Sequence, residues 1–440
     1  MSRNEPTRGP LFILGAPRSN TSLVCAMLGQ HPELYGMPEL NLFCADSMDD
    51  FWIRFTGAKQ FMRHGLLRTV AQLYGGEQNM RTVEMAMLWC QERLQKTTAE
   101  VHHELCAKVA PRMLVDKSPT YVFEPQMMMR IQAAFPDAYF LHLVRHPMSQ
   151  GKSMLKFSQL ALVIMDSIDY SGDEPAIDPQ ILWYRVQRNI LAFLPNVAPE
   201  RRLLVKAENI LGSPREELTR ICEWLGISTD DIAIDEMLHP EQSPYAGFGP
   251  IGANLGNDPN FLRSPAFRGG AVAPASLLEP LPWRPDGRGF YREVIQMALR
   301  LGYELPHGAE AVPAGPSAGS DDVVDEVSAT EVQGGYGLQR ALISGRIQRK
   351  RAFVQEFMSR DPTLRNPTVY PTSSTPQETE QRRRDLEYRR SWLFAALEEA
   401  DRELTTTQTK PEDPTGQNDG SAAADRSGTT APRPTEKKAD

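Results

Sequence analysis

Leu11-Phe12-Ile13-Leu14-Gly15-Ala16-Pro17-Arg18-Ser19-Asn20-Thr21-Ser22-Leu23-Val24 is the stretch whose reading decides the fold. Leu11 to Leu14 is an apolar run of strand length. Gly15 and Pro17 break it, Arg18 to Ser22 form a polar turn, and from Leu23 an apolar run with helical spacing begins (Leu23, Val24, Met27, Leu28). Strand, tight polar turn and helix start make a phosphate-binding geometry, in which N–H groups at the helix N-terminus and the helix dipole favour an anion. Arg18 adds a cation, and Ser19, Thr21 and Ser22 add hydroxyl donors. A Walker A loop is excluded, because G-x-x-x-x-G-K-[ST] is absent. Taken alone, the residues fit equally well an ordinary strand-to-helix connection with a Ser/Thr cap.

Further short strands follow the same plan. Met113-Leu114-Val115-Asp116 is a strand that ends at Lys117-Ser118-Pro119. Tyr139 to Val144 is a strongly apolar strand that ends at Arg145, with Ser153 eight residues on. Leu203-Leu204-Val205 is another, followed by Lys206-Ala207-Glu208-Asn209-Ile210. Helices are expected over Glu124–Phe135, Pro179–Leu194, Pro214–Leu225 with Gly226 as C-cap, and Phe290–Leu301. Strands alternating with helices imply an α/β fold with a mostly parallel sheet. Charged side chains at strand ends stand where such sheets place ligands.

Pro17-Arg18-Ser19-Asn20-Thr21-Ser22-Leu23 resembles the 5′-phosphosulfate loop, P-[KR]-S-G-T-[ST], of sulfotransferases that use 3′-phosphoadenosine-5′-phosphosulfate (PAPS). Arg145…Ser153 resembles their 3′-phosphate site. Asn257-Asp258-Pro259-Asn260-Phe261 resembles a G-D-P-[ND]-F stretch of the polyketide-pathway members. The resemblance covers about Pro10 to Leu305. It implies a P-loop-kinase-like sulfotransferase fold. It also implies transfer of a sulfuryl group from PAPS to an acceptor hydroxyl, with no metal.

In the implied site, Arg18, Ser19, Asn20, Thr21, Ser22, Arg145 and Ser153 bind the co-substrate, and Glu39, Lys117 and Arg18 are catalytic. Glu39 follows a His31-Pro32 pair, as a catalytic Glu does in protein-tyrosine sulfotransferases. It is the candidate general base, although by composition alone it reads as one more solvated carboxylate. Lys117 matches a lysine that neutralises charge on the leaving phosphate, and reads otherwise as a surface lysine in a turn. The chain departs from the family pattern in three places. Asn20 stands for Gly, a change Asn tolerates if φ is positive. Asn41 stands where some polyketide-associated relatives have His. Ala207 replaces the Tyr of an R-Y-E-D-L stretch, so an aromatic contact near the nucleotide is missing or supplied elsewhere.

The implied acceptor is a secondary metabolite or carrier-bound hydroxyl. A carbohydrate, lipid or phenol acceptor, a PAPS-binding scaffold or regulatory protein without turnover, and a kinase on a related fold remain as alternatives. Lack of the Walker lysine counts against the kinase.

The rest of the chain bounds these readings. A net charge of −8 over 440 residues argues against a general nucleic-acid binder. Cys25, Cys44, Cys90, Cys106 and Cys222 form no C-x-x-C pair and read as reduced thiols. Met1–Pro10 is polar, without the apolar core of a signal peptide, and no run reaches membrane-span length, so a soluble cytoplasmic enzyme is expected. The expected organisation is a flexible N-terminus (1–10), a main domain (11–305), a Gly/Ala/Pro/Ser-rich linker (306–335), a helical extension (336–404) suited to dimerisation or partner docking, and a disordered tail (405–440). Between the first two core strands, helices are expected near 47–63 and 82–99 as a substrate-covering insertion. The first helix should end near Gln30, Glu39 sits in an irregular segment just after Pro38, and His102 and His103 read as surface residues. The Gly- and Pro-rich segment 239–287 reads as a binding loop or lid.

Overall fold

In the first strand, β1 (Leu11–Leu14), every residue is buried, because both faces of the strand are covered. Leu11 and Ile13 face one core cluster, while Phe12 and Leu14 face the other. The computed structural model describes residues 8–157, 167–169, 176–270 and 275–306. The remaining strands are β2 (Leu34–Gly36), β3 (Met113–Asp116), β4 (Tyr139–Val144), β5 (Ile168–Asp169), β6 (Ala176–Ile177) and β7 (Arg202–Lys206). The main sheet has five strands in the order β2-β3-β1-β4-β7, and each neighbouring pair runs parallel. β5 and β6 form a separate two-stranded antiparallel ladder. The α/β class with a central parallel sheet is therefore as expected from the sequence.

Helices flank the sheet. In chain order they are α1 (Thr21–Leu28), α2 (Met48–Arg54), α3 (His64–Gly75), α4 (Met80–Gln91), α5 (Thr98–Val109), α6 (Pro125–Ala134) and α7 (Pro147–Phe157). Then come α8 (Pro179–Phe193), α9 (Ala207–Gly212), α10 (Pro214–Leu225), α11 (Asp231–Glu236), α12 (Pro259–Arg263) and α13 (Arg292–Arg300). One cluster packs α1 and α10 on Leu11, Ile13, Leu141 and Leu143. The other packs α3 to α6 and α8 on Phe12, Leu14, Leu114 and Phe140. A third, around Trp183, Phe290 and Val294, ties α13 to α8.

Several expectations are corrected. A strand that the sequence reading did not identify is added: Leu34 to Gly36 pair with Met113 to Val115 as the sheet edge. The 47–63 helix stops at Arg54 and resumes as a 3-10 turn over Gly57–Arg63, followed by α3, whose Leu66, Leu67, Val70 and Ala71 are buried. The 82–99 helix is two helices, because capping boxes at Asn79 and at Thr97 each start a new one. α1 ends at Leu28 rather than near Gln30, with Gly29 as C-cap. His103 is exposed, but His102 is fully buried on the inner face of α5. Gly9 and Pro10 belong to the fold rather than to a flexible N-terminus: both are buried, and the Tyr139 N–H donates to the Pro10 carbonyl at 2.9 Å. The linker past Pro306, the helical extension and the tail lie outside the described residues.

Candidate active site

The carboxyl ends of β1, β3 and β4 deliver the loop at 15–20, Lys117 and Arg145 to one edge of the sheet. The loop closes on itself through a 3.2 Å hydrogen bond from Ser19 N–H to the Ala16 carbonyl. Arg18 (φ 68°) and Asn20 (φ 64°) are both left-handed. Asn20 thus meets the backbone demand that Gly meets in the usual pattern. It is also the N-cap of α1 and makes no side-chain cap hydrogen bond. The Ser19 hydroxyl is buried without a hydrogen-bond partner. A helix start without a side-chain cap, beside an orphaned buried hydroxyl, fits an anion.

Glu39 and Lys117 meet at the mouth of this loop. Lys117 is fully buried, and its Nζ donates to Glu39 Oε1 at 2.5 Å and to Ser22 Oγ at 2.7 Å. Burial pushes the Glu39 carboxyl above the usual carboxylate range, and the Lys117 ammonium pulls it back without cancelling the rise. The Glu39 backbone is held from two sides. Its N–H donates to the Gly256 carbonyl at 2.7 Å, and Gly65 at the start of α3 lies so close that an added Cβ would sit 1.9 Å from the Glu39 carbonyl oxygen. Gly65 is required for this approach.

Asn41 ties its segment into the fold through three hydrogen bonds. Its N–H donates to Ser118 Oγ at 3.0 Å, its Nδ2 donates to the Met62 carbonyl at 3.0 Å, and its Oδ1 accepts from Thr120 at 2.7 Å. These bonds fix Glu39's segment to the turn after Lys117.

On the other side of the loop, Arg145 Nη1 donates to the Arg18 carbonyl at 2.9 Å, and Gln150 Nε2 donates to the Pro17 carbonyl at 2.8 Å. Ser153 on α7 accepts from Arg18 Nε at 3.3 Å. The strand-end Arg is itself anchored, because Trp183 Nε1 donates to its carbonyl at 2.9 Å. Glu208, next to Ala207, accepts from His146 N–H at 2.9 Å and from Tyr303 OH at 3.1 Å, which ties the end of β7 to this corner.

The structure thus brings Arg18, Ser19, Asn20, Thr21, Ser22, Glu39, Lys117, Arg145 and Ser153 into one region. It also adds two residues to which the sequence reading gave no role. Asp258 forms an ion pair with Arg18, and its N–H donates to Ser22 Oγ at 3.2 Å. Arg268 lines a cleft together with Asn20, Ser153 and Asp258. Asp258 lay within a quoted motif and so carried a signal. Arg268 sits in an aperiodic Gly-rich stretch that offers none.

Two clefts meet over the Arg18–Asp258 pair. The polar one runs past Asn20, Ser153, Asn260, Ser264 and Arg268. The other reaches Glu39 between Phe61, Met62, Phe123, Met154 and Leu255, and its walls are largely apolar. Among the described residues, no group of three or more His, Cys, Asp or Glu side chains could hold a metal ion, and no helix is long and apolar enough to cross a membrane.

A family model described as the sulfotransferase family matches residues 10–231, just over half of the 440-residue chain. The chain belongs to the sulfotransferase family. Two solved structures similar to this sulfotransferase are named for biosynthetic systems. The sulfotransferase domain from the curacin biosynthetic pathway is 27% identical, with a TM-score of 0.54, and the match covers 68% of this chain and 99% of that one. The sulfotransferase domain of the Synechococcus PCC 7002 olefin synthase is 25% identical, with a TM-score of 0.50, covering 70% and 100%. No curated protein matches the sequence.

Proposed function

We propose that this sulfotransferase moves the sulfuryl group of PAPS to a hydroxyl carried on a largely apolar acceptor, such as a secondary metabolite or a carrier-bound intermediate. The observation that carries the reading is the Glu39–Lys117–Ser22 chain at the mouth of the phosphate loop. Glu39, raised by burial yet paired, is suited to take the acceptor proton. Lys117, held in a fixed direction and desolvated, stabilises negative charge that develops between the acceptor and the loop. The N–H groups at the start of α1, with Ser19 and Ser22, hold the 5′-phosphate. Arg145 and Ser153 hold the 3′-phosphate, with Arg268 on the same cleft. Arg18 is shared between the two clefts. Catalysis then rests on alignment and charge stabilisation, as in phosphoryl transfer.

The apolar lining near Glu39 favours an acceptor with a hydrophobic body over a carbohydrate. The two neighbours named for curacin biosynthesis and for an olefin synthase support a biosynthetic setting for the acceptor.

The test is calorimetric titration with 3′,5′-adenosine diphosphate, the product nucleotide. Wild type should bind and Arg145→Ala should bind much more weakly. Absence of binding by wild type would refute the donor assignment. With labelled donor and acceptor in hand, Glu39→Gln should abolish most turnover. Unchanged nucleotide affinity without turnover in any acceptor screen would support a scaffold instead.

A further inference from the structure

A second cavity, of about 620 Å³, opens at the amino edge of the sheet, away from the phosphate loop. Cys106, on α5, lines it and is partly exposed there. Behind the sulfur lies His102, one turn earlier on the same helix, with Nδ1 3.5 Å from Cys106 Sγ. The other ring nitrogen, Nε2, is 3.3 Å from Asp116 Oδ2, off the ideal hydrogen-bond angle, and both side chains are fully buried. The Asp116 carboxylate is oriented by Ser118 Oγ and Tyr121 OH, each donating at 3.0 Å. The imidazole is clamped by the rings of Phe12, Phe43 and Phe135, with centroids 5.3, 5.3 and 5.0 Å away. A partly exposed thiol with an imidazole in reach, and a carboxylate close behind the imidazole, is an arrangement that favours negative charge on the sulfur.

The contrast with the other cysteines sharpens the point. Cys25, Cys44, Cys90 and Cys222 are all buried. Burial pushes their thiols up to about 12, 11, 12 and 12 respectively. Two guanidiniums, Arg8 and Arg112, and two carboxylates, Glu33 and Asp137, stand around the cavity that Cys106 faces. That mixture suits a small zwitterionic ligand.

We propose that Cys106 is a modification site that exchanges with a low-molecular-weight disulfide of a zwitterionic thiol, such as glutathione disulfide, entering this cavity. The Cys106 sulfur gives its proton to solvent and attacks one sulfur of the disulfide, with the His102 imidazole beside it stabilising the negative charge. One S–S bond forms as the other breaks, and the departing thiolate takes a proton from the water that fills the cavity. The incoming disulfide is the only oxidant. The inference is independent of the proposed sulfuryl transfer, because its readout is a covalent adduct.

The experiment exposes the full-length folded protein to glutathione disulfide and follows it by intact mass spectrometry and peptide mapping. One glutathionyl group should add, on Cys106, and Cys106→Ser should remove it. The rate at neutral pH should fall about tenfold or more in His102→Gln, as loss of the imidazole that stabilises the sulfur anion implies. If that variant does not fold, Arg112→Ala and Asp137→Ala, which alter the cavity walls and leave the core in place, decide: each should slow addition to Cys106. No adduct, adducts spread over the other cysteines, or a Cys106 rate unchanged in both cavity variants would each overturn the proposal.

Discussion

In the proposed reaction Glu39 is the side chain that takes the acceptor proton, and its proton affinity is set by two opposing influences. Desolvation raises it and Lys117 lowers it, and the rise wins. A base must be deprotonated to act, so kcat should fall as pH drops through a value above the ordinary carboxylate range. Glu39→Gln should lower kcat by about 10²–10⁴-fold, the usual contribution of a general base, and leave the affinity for 3′,5′-adenosine diphosphate unchanged. Steady-state rates across pH and a calorimetric titration check both. His102 titrates in the opposite sense. Burial alone would lower it, but Cys106 and Asp116 outweigh burial and hold it at about 9, against an ordinary value of 6.5. Its folded value is the higher, so its stabilisation is complete below pH 6.5 and is lost as pH rises through about 9. Melting temperature should therefore decline across that window in wild type. A decline of the same size in His102→Gln would refute the assignment. The facing groups are Cys106 on its own helix and Asp116 at the end of β3, whose carboxylate accepts from Tyr121 in the following turn. At this scale the sequence was informative where a residue sits at a strand end, as Lys117 and Arg145 do. It misled at His102, because adjacent histidines on a helix point in different directions and only packing decides which is inward.

At the scale of elements, the segments that hold the site are joined by polar buried links that no periodicity announces. Arg284 lies in the aperiodic stretch expected to act as a loop, yet its side chain is only 2% exposed. It donates to Asp169 at 2.5 Å, Asp178 at 3.2 Å and Asp286 at 2.6 Å, and so ties β5 and the start of α8 to the approach of α13. Arg284→Met would leave Asp169 and Asp178 buried without this cation, which costs about 3–5 kcal/mol in such settings. Urea unfolding should show a correspondingly lower midpoint, and a change below about 1 kcal/mol would mean that the carboxylates find other partners. The helices of the 45–107 insertion were read with the right character but the wrong limits. Apolar spacing reports which residues turn inward, whereas capping boxes at Asn79 and Thr97 set where helices begin. The strand Leu34–Gly36 was missed because three residues carry too short a pattern, and its pairing with Met113 to Val115 is what makes it a strand.

Over the whole molecule, the order β2-β3-β1-β4-β7 gathers chemistry from widely separated stretches at one sheet edge. The sheet itself was legible from four apolar runs, each ending in a turn or a charged residue. The closure of the site by Asp258 was not, because a contact across 240 positions leaves no local trace. A nucleotide that bridges the phosphate loop and the Arg268 cleft should stabilise the fold as a unit. At a hundredfold excess over its Kd, 3′,5′-adenosine diphosphate should add about 2.7 kcal/mol, seen as a raised melting temperature that Arg145→Ala does not show. The Arg18–Asp258 pair also has a meaning in time. During synthesis the phosphate loop leaves the ribosome long before its closing carboxylate exists, and Glu39 waits equally for the Gly256 carbonyl. The sheet edge is thus laid down early and its closing surface late, so a nascent chain completes this corner only near the end of the main domain's emergence.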